Sequence, residues 1–288
     1  MKLYTFRIPE DTAEGRLLPL VRRMLPQLSA RTVQQAFDRR DVKQNGKRMD
    51  RQAMLQPGAE GKLYAPDDAE AGPSIPVLFE DENILVIHKP AGISCQKDAK
   101  GGRSIAEVLH MQRPDQPEPL LCHRLDNQTE GILLLAKTRE AQAAMEEGFF
   151  HRRIHKRYVC LVKGCPSPDS AVLHAFLLKD DQKALVRVSR RETPGSLPII
   201  TEYHVAERLG DLSRLEVDLH TGRTHQIRAH MAFIGHPLLG DDKYGDRDFN
   251  KKQHAKGLAL CAVRLKIETG GKMPCLDGKE FSIRAPFE

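Results

Sequence analysis

At 288 residues the chain is long enough for one large core, or for a large domain beside a small one. Apolar residues make up 40%, the mean hydropathy is −0.48, and no apolar run approaches the roughly 20 residues needed to cross a bilayer. Lys and Arg number 45 against 39 Asp and Glu, a net charge of +6, so a strongly acidic partner-binding class is excluded and a polyanion is a candidate partner.

The first stretch, Met1 to Glu10, is strand-like and lacks the apolar block of a signal peptide, so a cytoplasmic location is expected. From Arg16 to Leu25, Leu17, Leu20, Val21, Met24 and Leu25 recur at helical spacing, with Arg22 and Arg23 on the other side; Pro26 then ends or bends the helix. Ser29 is placed to N-cap a second helix in which Val33 and Phe37 share a face, while Arg31, Arg39 and Arg40 fall largely off it. Asn45-Gly46 predicts a type I′ hairpin between Lys43 and Lys47. Two short basic helices followed by a hairpin resemble the alpha-L RNA-binding motif, also found in a ribosomal small-subunit protein. That resemblance implies RNA contacts at Arg31, Arg39, Arg40, Lys43 and Lys47. A solvated basic helix pair is the plainer reading of the same residues.

This first body is expected to cover 1–66, with 13 Lys and Arg against 7 Asp and Glu. Residues 67–75 read as a polar Gly/Pro linker without periodicity, and 67–82 hold six acids and no bases. The second body is expected over 76–288, again with a net charge of +6 outside the acidic connector. Val77 to Gly92 predicts two strands around a turn, halted by Lys89-Pro90-Ala91-Gly92. Ser104–His110 and Thr138–Phe150 read as helices, and 155–219 alternates apolar and polar residues between turn signals. The fold class expected is α+β: a central, largely antiparallel mixed sheet with flanking helices, plus the small N-terminal domain of helices and a hairpin.

Within that second body, Cys122 to Lys137 reads C-H-R-L-D-N-Q-T-E-G-I-L-L-L-A-K. The apolar run Ile132–Ala136 suits a strand buried on both faces, although pattern alone leaves a short buried helix open. His123, Arg124 and Asp126 form a polar segment just before it, where a braced loop can hold a reactive group rigidly. The segment resembles the H-R-L-D-x-x-T-S-G-L-L-L-x-A-K signature of the RluA-type pseudouridine synthases. Three further stretches resemble the same family in the same order: Lys156-Arg-Tyr158, Leu219-His-Thr-Gly-Arg-Thr-His-Gln-Ile-Arg-Ala-His230 with Gly235 to Gly245, and Leu258 to Leu265.

What the resemblance implies is an enzyme that isomerises uridine in RNA, with Asp126 as the catalytic carboxylate, Arg228 as its paired cation and Tyr158 as an active-site base. It also implies that Leu260 lines the uracil pocket and that Arg124 fills the space left by the extruded base. Large-subunit ribosomal RNA is the expected substrate, with tRNA an alternative; the chain is expected to act as a monomer, without metal, ATP or redox cofactor. Glu130 stands where the family usually has Ser or Gly, and its carboxylate is expected to alter RNA contacts locally.

Other chemistries are weaker on the residues. His220, His225 and His230 are five apart, which on a helix sets neighbours about 140° apart rather than on one metal-binding face. The six cysteines form no C-x-x-C pair, so neither a zinc site nor a disulfide framework is expected. Phosphate-loop glycine patterns and a G-x-S-x-G elbow are missing. A non-catalytic RNA-binding or ribosome-assembly protein and a base N-glycosylase remain as alternatives.

Overall fold

The computed structural model describes every residue except 26, 27, 29, 67–73, 97–103, 114, 181–184 and 288, and the side chains of Ala30 and Arg31 are likewise not described. The Pro26 stop, the Ser29 cap and most of the expected linker therefore lie outside the described residues. By contacts the chain divides into two compact units, Met1–Ile75 with Arg103–Pro119, and Pro76–Gly102 with Leu120–Glu288. Residues 103–119 group with the first unit although they are flanked in sequence by the second.

The first unit carries β1 (Lys2–Arg7), α1 (Leu17–Met24), α2 (Ala30–Asp38), β2 (Val42–Gln44), β3 (Lys47–Met49) and β4 (Glu60–Ala65). The strands form one antiparallel sheet in the order β1-β4-β2-β3. Asn45 (φ 47°) and Gly46 (φ 79°) both adopt the left-handed region that a type I′ turn requires, which sets the Gln44–Lys47 register. Leu17, Leu20 and Val21 of α1 and Val33 and Phe37 of α2 bury one face of each helix against Leu63 and Val42. α3 (Ile105–Gln112) begins at a capping box: Ser104 Oγ accepts from Glu107 N–H, and the Glu107 carboxylate accepts from Ser104 N–H.

The second unit holds β5 (Val77–Glu80), β6 (Ile84–Lys89), β7 (Leu120–Leu121), β8 (Glu130–Ala136), α4 (Arg139–Phe150), β9 (His155–Lys163) and β10 (Ser170–Asp180). β11 (Leu185–Ser189), β12 (Leu197–Leu209), β13 (Leu212–Leu219), α5 (Gln226–Phe233), α6 (Arg247–Lys252), β14 (Leu260–Lys266) and β15 (Glu280–Ser282) complete it. Its large sheet runs β11-β10-β12-β13-β9-β14-β8-β6-β5, with β15 on β14 and β7 on β8. Among the described residues every pairing in it is antiparallel except β14 with β8, which makes the sheet mixed, as the α+β expectation had it. Among the described residues, no helix is long and apolar enough to cross a membrane.

The apolar run of β8 is a strand, and Ile132 to Ala136 are buried on both faces. The reason is its central place: β6 flanks it on one side and β14 on the other, while α4 packs against it through Ala141, Ala144 and Met145. Thr138 caps α4, its Oγ1 accepting from Ala141 N–H at 3.1 Å. Gly131 opens the parallel contact. It has φ +125°, and a Cβ there would sit 2.4 Å from the Ala262 backbone nitrogen, so only glycine lets β8 and β14 approach this closely. That approach brings the loop before β8 beside the start of β14.

Candidate active site

Asp126 sits on the loop between β7 and β8, in a turn closed by Thr129 N–H donating to the Asp126 carbonyl at 3.1 Å. The segment after β6 clamps this loop. Leu125 N–H donates to Cys95 Sγ (3.3 Å), Asn127 Nδ2 donates to Ser94 Oγ (2.8 Å), and Gly92 N–H donates to the Asn127 carbonyl (2.8 Å). Lys89 is fully buried, and its Nζ donates to the carbonyls of Pro90 (2.9 Å), Ile93 (2.9 Å) and Asn127 (3.1 Å). Burial pulls its pKa down to about 8, yet three carbonyl acceptors use all three ammonium protons, so the charged form is the one the site fits. The K-P-A-G stop thus has a physical purpose: Lys89 and Gly92 both hold the Asn127 carbonyl just after Asp126, while Cys95 holds Leu125 just before it.

A second set of contacts fixes the opposing cation. α5 starts after His225, which holds a left-handed conformation (φ 53°). Buried Gln226 clasps the preceding loop, accepting from Thr221 Oγ1 (2.9 Å) and Arg223 N–H (3.0 Å) while donating to the Ile200 carbonyl and Thr201 Oγ1 (both 3.0 Å). Two residues on, the Arg228 side chain is 3% exposed. Its Nε and Nη2 donate to the two carboxylate oxygens of buried Asp241, each at 2.8 Å, and Nη2 also reaches Asp242 at 3.0 Å. Nη1 points toward Asp126 Oδ2 at 3.8 Å. The sequence reading paired Arg228 with Asp126 alone; its closest partner is Asp241, and Asp126 is met by the remaining nitrogen of the fork. Burial works against the Arg228 charge, but the hydrogen bonds and charge of Asp241 outweigh it and its pKa is raised. Burial likewise opposes ionised Asp241, and Arg228 with the Lys243 and Tyr244 amides overcomes it, holding that carboxyl below its ordinary value.

His225 closes the third side. Tyr244 OH accepts from Val186 N–H at 2.9 Å and shares a hydrogen bond with His225 Nδ1, also at 2.9 Å. The other ring nitrogen, Nε2, faces Asp126 Oδ2 at 4.0 Å. Burial lowers the His225 pKa, with the charges of Arg228 and Lys243 adding to that and Asp126 opposing. The ring is therefore held neutral near pH 7. The three histidines weighed as metal ligands have separate partners: His220 meets Glu202, His225 meets Tyr244, and His230 meets Thr201.

Asp126, Tyr158, Arg228, Arg124 and Leu260 all line one half-open cleft of about 560 Å³ including its mouth, together with Thr129, Leu219 and Lys156. Tyr158 is buried on β9, and burial followed by the Asp126 charge raises its pKa, so it rests as a neutral phenol. Burial brings Lys156 down to about 8. Arg124 is exposed at the cleft and donates to Gln96 Oε1 at 3.2 Å. Glu130 turns its carboxylate to His88 Nε2 at 2.8 Å, a specific partner for the acid that departs from the family pattern. Arg39, Arg40 and Lys47 are exposed in the first unit, and Lys43 Nζ lies 5.7 Å over the Tyr64 ring; the Arg31 side chain is outside the described residues. From the sequence, Lys89 reads only as part of a strand stop and His225 only as a metal-ligand candidate, while Asp241 and Tyr244 carry no role. The G-D-D-K-Y-G motif containing the last two was legible, but nothing local revealed what its side chains grip.

Asp241→Asn should cost about 3–5 kcal/mol at neutral pH, because a buried guanidinium loses its counter-charge. The sign follows from the lowered pKa of Asp241: its contribution is full above its ordinary value near 4 and lost as pH falls through the folded value. Denaturant titrations of both proteins across pH 3–7 check this; the gap should narrow on acidification, and a constant gap counts against the ion-pair account.

A profile of the RNA pseudouridylate synthase family matches residues 83–233, just over half the chain. The ribosomal large subunit pseudouridine synthase C of Haemophilus influenzae is 37% identical over 182 residues, covering 63% of this chain and 56% of that protein. The Pasteurella multocida protein of the same name is 38% identical over 215 residues, covering 74% and 64%. The chain thus spans less than two thirds of the length of these two relatives. The Vibrio cholerae protein of that name is 30% identical over 299 residues, covering 98% of this chain and 92% of its own. Among solved structures, Human RNA Pseudouridylate Synthase Domain Containing 1 superposes with a TM-score of 0.62 at 23% identity, over 75% of this chain and 85% of its own, a likeness of fold. Human RNA Pseudouridylate Synthase Domain Containing 4 gives 0.60 at 25% identity, over 73% and 88%. With the profile across its central sheet and a relative aligned along nearly its whole length, the chain belongs to the RNA pseudouridylate synthase family.

Proposed function

We propose that the chain converts uridine to pseudouridine in large-subunit ribosomal RNA, with Asp126 as the catalytic carboxylate. One observation carries the reading: residues from four separated motifs line a single cleft in which Arg228 is fixed 3.8 Å from Asp126. The substrate rests on the names of the bacterial relatives, and such a substrate puts the site of action in the cytoplasm.

The reaction breaks the bond from ribose C1′ to uracil N1, turns the ring, and joins C1′ to C5; the C5 proton then leaves. A carboxylate serves in either of two ways, by adding to the uridine or by taking a sugar proton as the base departs. Both require the ionised form in a site largely shielded from water, and Arg228 supplies the compensating charge. In the tautomer protonated on Nε2, neutral His225 presents an N–H toward the same carboxylate without a second full charge. Tyr158, held as a phenol, can take the C5 proton only if its own proton departs at the same time, so it relays rather than stores it. A weak acceptor suffices there, because losing that proton restores the conjugated ring. Leu260 supplies an apolar wall for the uracil. Extruding the base costs a few kcal/mol in a duplex and less in a loop, and Arg124 at the cleft is placed to occupy the vacancy.

The first unit serves as an RNA-holding module. Exposed Arg39, Arg40 and Lys47, together with Lys43 and Arg31, put five cations on or beside α2 and the β2–β3 hairpin.

Two measurements test the reading. With ribosomal RNA transcripts tritiated at uracil C5, Asp126→Asn should bind RNA normally and release no tritium to water; turnover in that variant removes Asp126 from its role. A glycosylase would instead leave abasic sites, and a simple binder would do neither. Replacing Arg39, Arg40, Lys43 and Lys47 with Ala in the full chain should weaken RNA binding and flatten its salt dependence by up to about 0.7–0.9 per lost phosphate contact in log–log slope. An unchanged slope counts against the module.

A further inference from the structure

A larger groove, about 2190 Å³ including its mouth, adjoins the Asp126 cleft and takes no part in the chemistry derived above. Arg124, Lys156 and Arg223 line both hollows, so the two are continuous. The groove runs on past Arg152 and His155 to Phe150, the last residue of α4. Phe150 is 82% exposed, more than any other large apolar side chain among the described residues. Its neighbour Phe149 is packed inward, its ring 4.7 Å from that of His123. Phe150 makes one ring contact among the described residues, an edge-on approach to His151 at 5.0 Å. Nothing in the packing accounts for a ring facing water at this position.

The charges around it are asymmetric. Of the three acids lining the groove, Asp218 is engaged by Arg157 at 2.8 Å and Glu202 by His220 at 2.8 Å, while Glu146 lies exposed one turn before Phe150 on α4; five cations, Arg124, Arg152, Lys156, Arg157 and Arg223, line the same groove. Arg152 and Arg223, by contrast, carry no ion pair among the described residues. A path of unengaged cations leading from a nucleotide-sized cleft to a bare ring has the make-up of a single-stranded nucleic-acid track: cations for the backbone and a flat face for a base. A protein docking site would instead be expected to surround the ring with apolar side chains; here the ring it touches is that of His151, and the polar Glu146, Arg152 and His155 line the groove alongside Phe149 and Ile154.

We propose that this groove carries the RNA strand on one side of the extruded uridine, with an unpaired base of that strand stacked on the Phe150 ring. The inference rests on the RNA-isomerase reading above and adds where the flanking strand leaves the cleft. It implies a preference for targets whose neighbouring nucleotides are unpaired, since a base held in a duplex cannot reach the ring.

The test uses the full chain and a large-subunit ribosomal RNA transcript tritiated at uracil C5, comparing wild type with Phe150→Ala, Phe150→Leu and Phe150→Trp. Because the side chain is exposed, all four should unfold at similar temperatures. KM for tritium release should rise on the order of 10-fold in the Ala and Leu variants, more than kcat changes, and Trp should restore it. Ultraviolet cross-linking to the same RNA should label the peptide containing position 150 in wild type and the Trp variant. A wild-type KM in Phe150→Ala with no cross-link at 150 overturns the proposal and leaves the ring to a protein partner. A wild-type KM in Phe150→Leu overturns stacking in favour of apolar bulk. If wild type cross-links at 150 yet releases no tritium, the isomerase reading fails while the RNA track stands.

Discussion

The arrangement depends on how one guanidinium is divided. Arg228 is almost wholly buried, and a cation there is tolerable only because Asp241 takes two of its nitrogens in a planar fork. That anchoring is what leaves Nη1 fixed in direction rather than free to search. Its remaining face meets Asp126, which is 16% exposed and 3.8 Å away, close enough to stabilise negative charge and too far for an ideal hydrogen bond. A carboxylate that must react gains from this spacing, because a tight bidentate pair would hold its lone pairs out of use. Lysine could balance the charge but could not span both carboxylates from a fixed plane.

The acid is positioned with equal care from the other side. Lys89 gathers three carbonyls, one of them from Asn127, and the segment 92–95 meets the turn through a backbone amide, a hydroxyl and a thiol. These contacts come from the end of β6, whereas Arg228 is delivered by α5 and Asp241 by the loop that follows it. The cleft therefore forms only once the sheet has brought β6, β8, β9 and β14 into order. Gly131 is the pinch point of that order, since its missing side chain permits the one parallel contact of the sheet among the described residues.

Much of this was legible beforehand, for identifiable reasons. The Asn45-Gly46 turn, the α4 helix and the two-sided burial of β8 follow from local chemistry: left-handed turn residues, a Thr cap, and an apolar run of strand length. Asp126, Tyr158, Arg228 and Leu260 were reached through motif resemblance, and they converge on one cleft. What local pattern could not supply was pairing across long separations. The Arg228–Asp241 fork, the Lys89 clamp and the Val186–Tyr244–His225 chain join residues whose neighbours in sequence give no hint of each other. His225 was weighed as a metal ligand because spacing was the available clue; its phenol partner lies 19 residues on. Glu130 read as an isolated departure, and its answer, His88, sits on the adjacent strand.

The central claim is that fork geometry, beyond charge alone, readies Asp126. Single-turnover tritium release by Arg228→Lys, with folding checked by thermal unfolding and RNA affinity measured separately, addresses it most directly. The substitution keeps a cation for Asp241 while removing the nitrogen that faces Asp126. The rate should fall on the order of 100-fold with RNA affinity little changed. A folded Arg228→Lys protein that turns over at the wild-type rate would contradict the account.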